Sequence, residues 1–370
     1  MNKFQISRRQ AIILFLICTI SSKMQMLPCL LAGDVGKDLW LVLLFGACID
    51  IFFLFLTILI NKICPTLTTH DLLRNTYGKI FSSIIGILLL SYFICTAVLP
   101  FEAVRDVFAS NLFDAIPWKI FAIFFIACVG YLAYSGIRTI GRSAELYFYI
   151  IVACVLFLVF LGILHTDFSQ ILPLATTNFS NIAQGYFTHN IWFGDYMIFF
   201  VLTGRIKPGE TSLKFKDLLI FIIAIFIYAV AYITLWGLYT VTASSQSSLL
   251  SSISAFSLLN LDIGRVDWFL VLLSQIASVI SCSTYIYCVA ECLYQLTHKK
   301  NYGLCVVISL IILYIADLAL FGNIDKGISA LTSNYGFISF ALQSIVPIIC
   351  LFSAIITKRK KQGANNGKVF

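Results

Sequence analysis

Apolar stretches of about twenty residues recur along the whole of this 370-residue chain, each long enough to cross a hydrocarbon core of about 30 Å as a helix. Ten such spans are read, at about 10–32, 38–61, 79–109, 117–136, 144–164, 182–204, 217–242, 265–296, 302–321 and 334–357. Hydrophobic residues make up 60% of the chain and charged residues 11%, against roughly 25% charged in soluble domains. The chain is therefore an all-α integral membrane protein, residues 1–370 forming a single membrane domain with no soluble domain of any size. Lys3, Arg8 and Arg9 precede the first apolar run as they would in a signal peptide. No small-residue cleavage site follows, so this run is read as a retained helix.

Charge fixes an expected orientation, because cytoplasmic loops carry the excess of Lys and Arg. With the amino terminus inside, 19 of the 25 basic residues fall on the cytoplasmic side, including Arg74, Arg138, Lys207, Lys299 and the basic tail 358–370. Lys37, Arg105, Lys119, Arg265 and Lys326 fall outside and Lys23 inside the membrane. Both termini are expected in the cytoplasm, and Lys37, Ser248 and Lys326 on the outer face. The net charge of +8 is thus mainly an orientation signal, and a nucleic-acid partner is not expected. Two outer loops are longer than connectors require. The second, Thr242 to Gly264, holds eight serines, and its run SSLLSSISAFSLL repeats apolar residues at helical steps, predicting a short helix over the outer mouth.

Within the first span, Thr19 to Pro28 places two serines, a lysine, a glutamine and a proline in apolar surroundings. An ionisable group at membrane depth costs from roughly 2.5 to more than ~10 kcal/mol, so Lys23 must face protein or a watery cavity. In the plainer account Lys23 snorkels to an interface and Pro28 only kinks the helix. A second interruption, Trp192 to Asp195 in the corresponding span of the second half, favours a binding site, because paired breaks mark transporter-type sites.

Other residues suited to chemistry are spread over further spans. Tyr92 and Thr96 lie one turn apart and share a helix face. Glu102, beyond Pro100 and near Arg105 and Asp106, is read as an interfacial salt-bridge partner. Ser274, Ser278, Ser281, Tyr285, Cys288 and Cys292 form a stripe at steps of three and four, which periodicity alone assigns to helix packing ahead of a ligand site. Asp50 and Asp317 sit deep and need partners, and either Asp50 or Asp195 suits Lys23.

The twelve cysteines lie nearly all in apolar spans and read as free, buried thiols. The four histidines are scattered, with no Cys/His spacing for a metal. Neither GxSxG, HExxH nor a phosphate-cradling glycine loop occurs, so no enzyme activity, cofactor or metal site is expected.

Several short matches, in order, resemble one family. They are Ile6 to Gln10 (ISRRQ), Leu27-Pro28, Trp40, Tyr77-Gly78-Lys79, Ile85-Gly86 leading to Tyr92-Phe93, Tyr134-Ser135-Gly136-Ile137 before Ser143, Leu172-Pro173, Phe193-Gly194-Asp195, and Arg265 with Asp267. This order is similar to the endospore germination permeases, the B subunits of spore germinant receptors, within the amino acid–polyamine–organocation superfamily. The resemblance implies a LeuT-like fold of ten transmembrane helices in two inverted repeats of five, about 10–164 and 182–357, with helices one and six broken at mid-membrane. It implies nutrient sensing in the spore inner membrane beside an A-type membrane subunit and a C-type lipoprotein. The family commonly has small residues where this chain has Ser21, Ser22 and Lys23, and often Glu where this chain has Asp195; the usual Pro near Leu202 and Thr203 is missing.

On that scaffold the ligand, expected to be an amino acid, would be held by Ser21, Ser22 and Lys23, by Tyr92 and Thr96, by Phe193, Gly194 and Asp195, and by Ser281 and Tyr285. Lys23 would stand in for a mobile coupling cation. The alternative is a proton-coupled amino-acid transporter, with the proton on Lys23, Asp195 or Asp50.

Overall fold

A computed structural model describes residues 5–64, 67–111, 118–202, 204–206, 214–258, 266–297, 301–321, 329–332 and 334–366. Lys3, Thr203, Lys207, Asn260, Asp262, Arg265, Lys299, Lys300 and Lys326 lie outside the described residues, as do the side chains of Asp106, Lys119, Asp267 and Ser274. Helix dominates, and the parallel bridge between Ile6 and Ile206 is the one isolated β-pairing among the described residues. Seven described helical stretches are long and apolar enough to cross a membrane. The fold is an all-α membrane fold.

The first apolar span is two helices. The first, α1 (Arg8–Lys23), is opened by a capping box in which the Ser7 side chain accepts from the Gln10 amide and Gln10 returns a bond to Ser7. A turn over 24–26 follows, and α2 (Leu27–Val35) begins with Pro28 in its first turn, where a missing N–H is harmless. Then come α3 (Leu39–Ile63), the short α4 (Thr69–Tyr77), and α5 (Lys79–Asn111), which carries Pro100 inside it. Next are α6 (Trp118–Ser135) and α7 (Ile137–His165), joined at Gly136 with φ +92°.

The sixth span is also divided, into α8 (Phe179–Thr188) and α9 (Ile198–Leu202), with two single-turn 3-10 pieces between. The chain continues through α10 (Phe215–Tyr239), α11 (Leu249–Leu258), α12 (Val266–Leu296), α13 (Tyr302–Phe321) and α14 (Asn334–Asn366). α11 is the helix expected in the serine-rich loop, and it packs on α7, α12 and α10. α12 is the central element, touching α5, α7, α13, α1 and α6. Its stretch Gln275–Leu296 is the most enclosed of the long apolar helices, which explains its small and polar residues: they meet protein, not lipid.

At the connector between α2 and α3, Asp38 is fully buried. Its carboxylate accepts from the backbone of Ala175 (3.0 Å), Thr176 (2.8 Å) and Thr177 (2.8 Å) and from both threonine hydroxyls. One aspartate thus pins the loop after α7 to the first-span pair.

One expectation is corrected. Cys48 and Cys128 are exposed on the bundle surface, since their positions on α3 and α6 face outward, while most other cysteines are buried thiols. Glu102 pairs with Arg105 as expected, and it is buried at 2% exposure because α5 continues past Pro100 inside the bundle.

Candidate functional site

Where α1 stops, carbonyls of its last turn lose their helical partners. Tyr232 of α10 donates its hydroxyl to the Lys23 carbonyl at 2.6 Å, and the Leu249 amide of α11 donates to the Gln25 carbonyl at 3.0 Å. The gap between α8 and α9 is met in the same way. Phe193 is extended and Gly194 takes φ +79°, a left-handed conformation that favours glycine; a Cβ there would also fall 2.3 Å from the Gln343 side chain. The Gln343 amide lies 3.3 Å from the Asn190 carbonyl and 3.1 Å from that of Phe193. Tyr92 donates toward the Gly194 carbonyl at 3.3 Å.

Side chains from both gaps converge on Lys23, which is 0% exposed. Its Nζ lies 2.5 Å from Asp195 Oδ2, 3.4 Å from Asp50 Oδ2 and 3.3 Å from the Trp192 carbonyl oxygen. The ammonium also stands 5.1 Å from the centre of the Phe193 ring, a cation–π distance. Asp195 takes two further bonds, from Ser22 Oγ at 2.9 Å and from Tyr285 Oη at 2.9 Å. Asp50 Oδ1 accepts from the Gly194 amide at 3.1 Å. One ammonium between two carboxylates, each further hydrogen bonded, is the arrangement that keeps a buried lysine charged.

Of the residues expected at the site, Ser22, Lys23, Tyr92, Phe193, Gly194, Asp195 and Tyr285 meet here, from four different helical regions. Ser21 is adjacent but turns to Ser278, 3.4 Å away, and Ser278 is also bonded by Gln25 at 2.7 Å. Ser281 donates to the Ile17 carbonyl of α1 at 3.3 Å, and Thr96 donates to the Tyr92 carbonyl of its own helix at 2.9 Å. In this conformation Ser21 and Ser281 join α1 to α12, and Thr96 bonds only within its own helix. The α12 stripe is therefore divided: Tyr285 reaches Asp195, while Ser278 and Ser281 hold α1.

Gly46 and Gln343 are site residues that sequence reasoning missed. A Cβ on Gly46 would lie 2.3 Å from the Phe193 ring, so this glycine makes the space in which the ring lies under Lys23. Gln343 had a signal, an amide midway along an apolar span. Gly46 had none.

A sequence model of the family described as "Spore germination protein" matches residues 5–320. Spore germination protein A2 of Bacillus subtilis (strain 168) is 26% identical over 87% of this chain and 87% of its own length. Spore germination protein KB of the same organism is 22% identical over 100% of this chain and 99% of its own. Among solved structures, MhsT in complex with L-phenylalanine aligns with a TM-score of 0.59 at 13% identity, covering 95% of this chain and 98% of that one. A Na+-coupled sialic acid symporter in a substrate-bound outward-open state aligns with a TM-score of 0.59 at 11% identity, covering 93% and 88%. At those identities the likeness shows the fold, which is that of a transporter. The chain belongs to the spore germination protein family and is built on a transporter scaffold.

Proposed function

We propose that this protein is the nutrient-sensing B subunit of a spore germinant receptor, with an amino-acid site centred on Lys23. The observation that carries the reading is the buried ammonium held between Asp195 and Asp50 where the two helix gaps meet. On this reading the bundle has ten spans in two inverted repeats of five, the first and sixth spans are the broken ones, and both termini are cytoplasmic. The chain acts as a receptor without catalysis, in a lipid bilayer, beside an A-type membrane subunit and a C-type lipoprotein.

The gaps suit an amino acid because unwound backbone presents N–H and C=O groups to the ligand's carboxylate and ammonium, with helix-end dipoles of matching sign. That MhsT, of similar fold, is crystallised with L-phenylalanine supports the ligand class. Here the side chains around Lys23 fill the centre, and Tyr92 and Phe193 are 1% exposed. Admission of a ligand therefore requires α2 and α8 to move relative to α5 and α12. Lys23 supplies a tethered cation where a coupled transporter would bind a mobile one, so ligand binding is not tied to ion flow.

Reconstituted liposomes test this. Each proteinogenic amino acid that binds the purified protein is presented to the vesicles as a radiolabelled solute. Saturable binding without accumulation is expected. Saturable accumulation driven by a proton gradient would instead make the protein a proton-coupled amino-acid transporter.

A further inference from the structure

The helices α1, α7 and α10 pack together along rows of side chains four residues apart, a spacing that keeps each row on one helix face. α1 contributes Leu16 and Ile20, α7 Val152 and Leu156, and α10 Ala224 and Tyr228. Ala224 is the smallest of these, and the rows enclose a cavity of about 150 Å3. Leu16, Ile20 and Tyr228 are buried and form its floor, while Leu156 and Ile223 are exposed at its rim. Both rim helices, α7 and α10, are among those long and apolar enough to cross a membrane. The mouth of the cavity therefore faces hydrocarbon.

Tyr228 carries the one polar side chain among the described lining residues, and its hydroxyl is already engaged. Tyr228 Oη lies 3.1 Å from Thr19 Oγ1, which in turn donates to the Leu16 carbonyl at 2.8 Å. A charged or strongly polar guest would lose its own hydrogen bonds here without compensation. An uncharged apolar guest gains dispersion contacts with the walls and gives up nothing. Size narrows the class further. A dry cavity of this volume, lined by aliphatic and aromatic side chains, takes benzene or xenon, and a whole lipid acyl chain is too long for it.

We infer that this cavity is a binding site for one uncharged, benzene-sized apolar molecule that enters sideways from the hydrocarbon of the membrane. The molecule would touch α1 and α10 at Ile20 and Tyr228, about one turn before Lys23 and Tyr232. Tyr232 is the residue whose hydroxyl holds the Lys23 carbonyl at 2.6 Å. A bound molecule thus braces the two helices that shape the first gap. No residue of the Lys23 centre lines the cavity, so the two sites are separate.

Photolabelling of the full chain in lipid nanodiscs with a phenyl diazirine, an apolar probe built on one ring, tests the proposal, with the adducts located by mass spectrometry. Adducts are expected on Leu16, Ile20 and Tyr228. Excess benzene should remove them and leave those on Phe226, which is exposed elsewhere on α10. Ala224→Phe should fill the cavity, with loss of the buried adducts and retention of that on Phe226. Absence of buried adducts in the wild type, as when lipid chain ends occupy the space, overturns the proposal. So does an equal decrease at Tyr228 and Phe226 under benzene, or survival of the buried adducts in folded Ala224→Phe. Should that variant not fold, the benzene competition on the wild type decides alone.

Discussion

Lys23 shows how one residue sets the demands on its neighbours. Its ammonium, at 0% exposure, needs compensation, and the structure supplies two carboxylates, a backbone carbonyl and an aromatic face. Removing one partner of a buried ion pair typically costs about 3–5 kcal/mol, because the other charge is left without compensation. Gly46 acts on the same centre without touching Lys23. Gly46→Ala would put a methyl group into the Phe193 ring, which is rigid and packed on Tyr186 at 5.0 Å between ring centres. We expect this variant to lose roughly 1–3 kcal/mol of stability through overpacking. It should also weaken amino-acid binding at least tenfold, whereas Gly33→Ala, whose Cβ meets only an ordinary contact at 3.5 Å, leaves binding unchanged. Calorimetric titration of the two variants checks this, and equal binding in both would separate Phe193 from the ligand site.

Much of this centre was legible in the sequence, because a lysine, an aspartate and a glycine are conspicuous in apolar spans. Which carboxylate would meet Lys23 was not legible. Asp50 and Asp195 are 145 residues apart, and only the packing of α3 against the second gap brings both within reach. Gly46 was invisible for a different reason: its role is the space it leaves for a ring from another helix.

At the scale of elements, the two gaps hold their shape because other helices bond the backbone groups that they release. Tyr232, Tyr92, Gln343 and the Leu249 amide do this work, and none of them was assigned it from periodicity. The interruptions between α1 and α2 and between α8 and α9 fall where polar residues and a glycine stand in the sequence, but the bonds around them come from residues distant in sequence. The outer loop pinned by Asp38 invites a direct test. Asp38→Ala removes the acceptor for three amides and two hydroxyls, and each buried donor left without a partner costs about 1–3 kcal/mol. The variant should melt several degrees lower, and amide exchange at Ala175, Thr176 and Thr177 should quicken at least tenfold. Unchanged exchange would show that the loop is held by other contacts.

At the scale of the molecule, fold class was the most legible property, since apolar length is a global signal that survives local errors. Orientation is tested by labelling single cysteines from the two sides after the exposed Cys48 and Cys128 are replaced. Ser248 is buried, so Val241, at 79% exposure just before the same loop, is the better outer probe, with exposed Arg74 as the probe for the other side. Val241→Cys should react only from outside and Arg74→Cys only from the cytoplasm. Reversed labelling would overturn the orientation, and labelling of both from one side would overturn the span count between them.

The receptor reading rests on Lys23 as a charged centre of the ligand site, and the most direct measurement is the thermal stability of the purified protein with each proteinogenic amino acid, for wild type and Lys23→Met. Methionine keeps much of the length of lysine and removes its charge. At a hundredfold excess over its Kd, a ligand stabilises the folded state by about 2.7 kcal/mol, a shift of several degrees. At least one amino acid should raise the melting temperature of the wild type and leave Lys23→Met unmoved. An equal rise in both proteins, or no rise in the wild type with any amino acid, would contradict it.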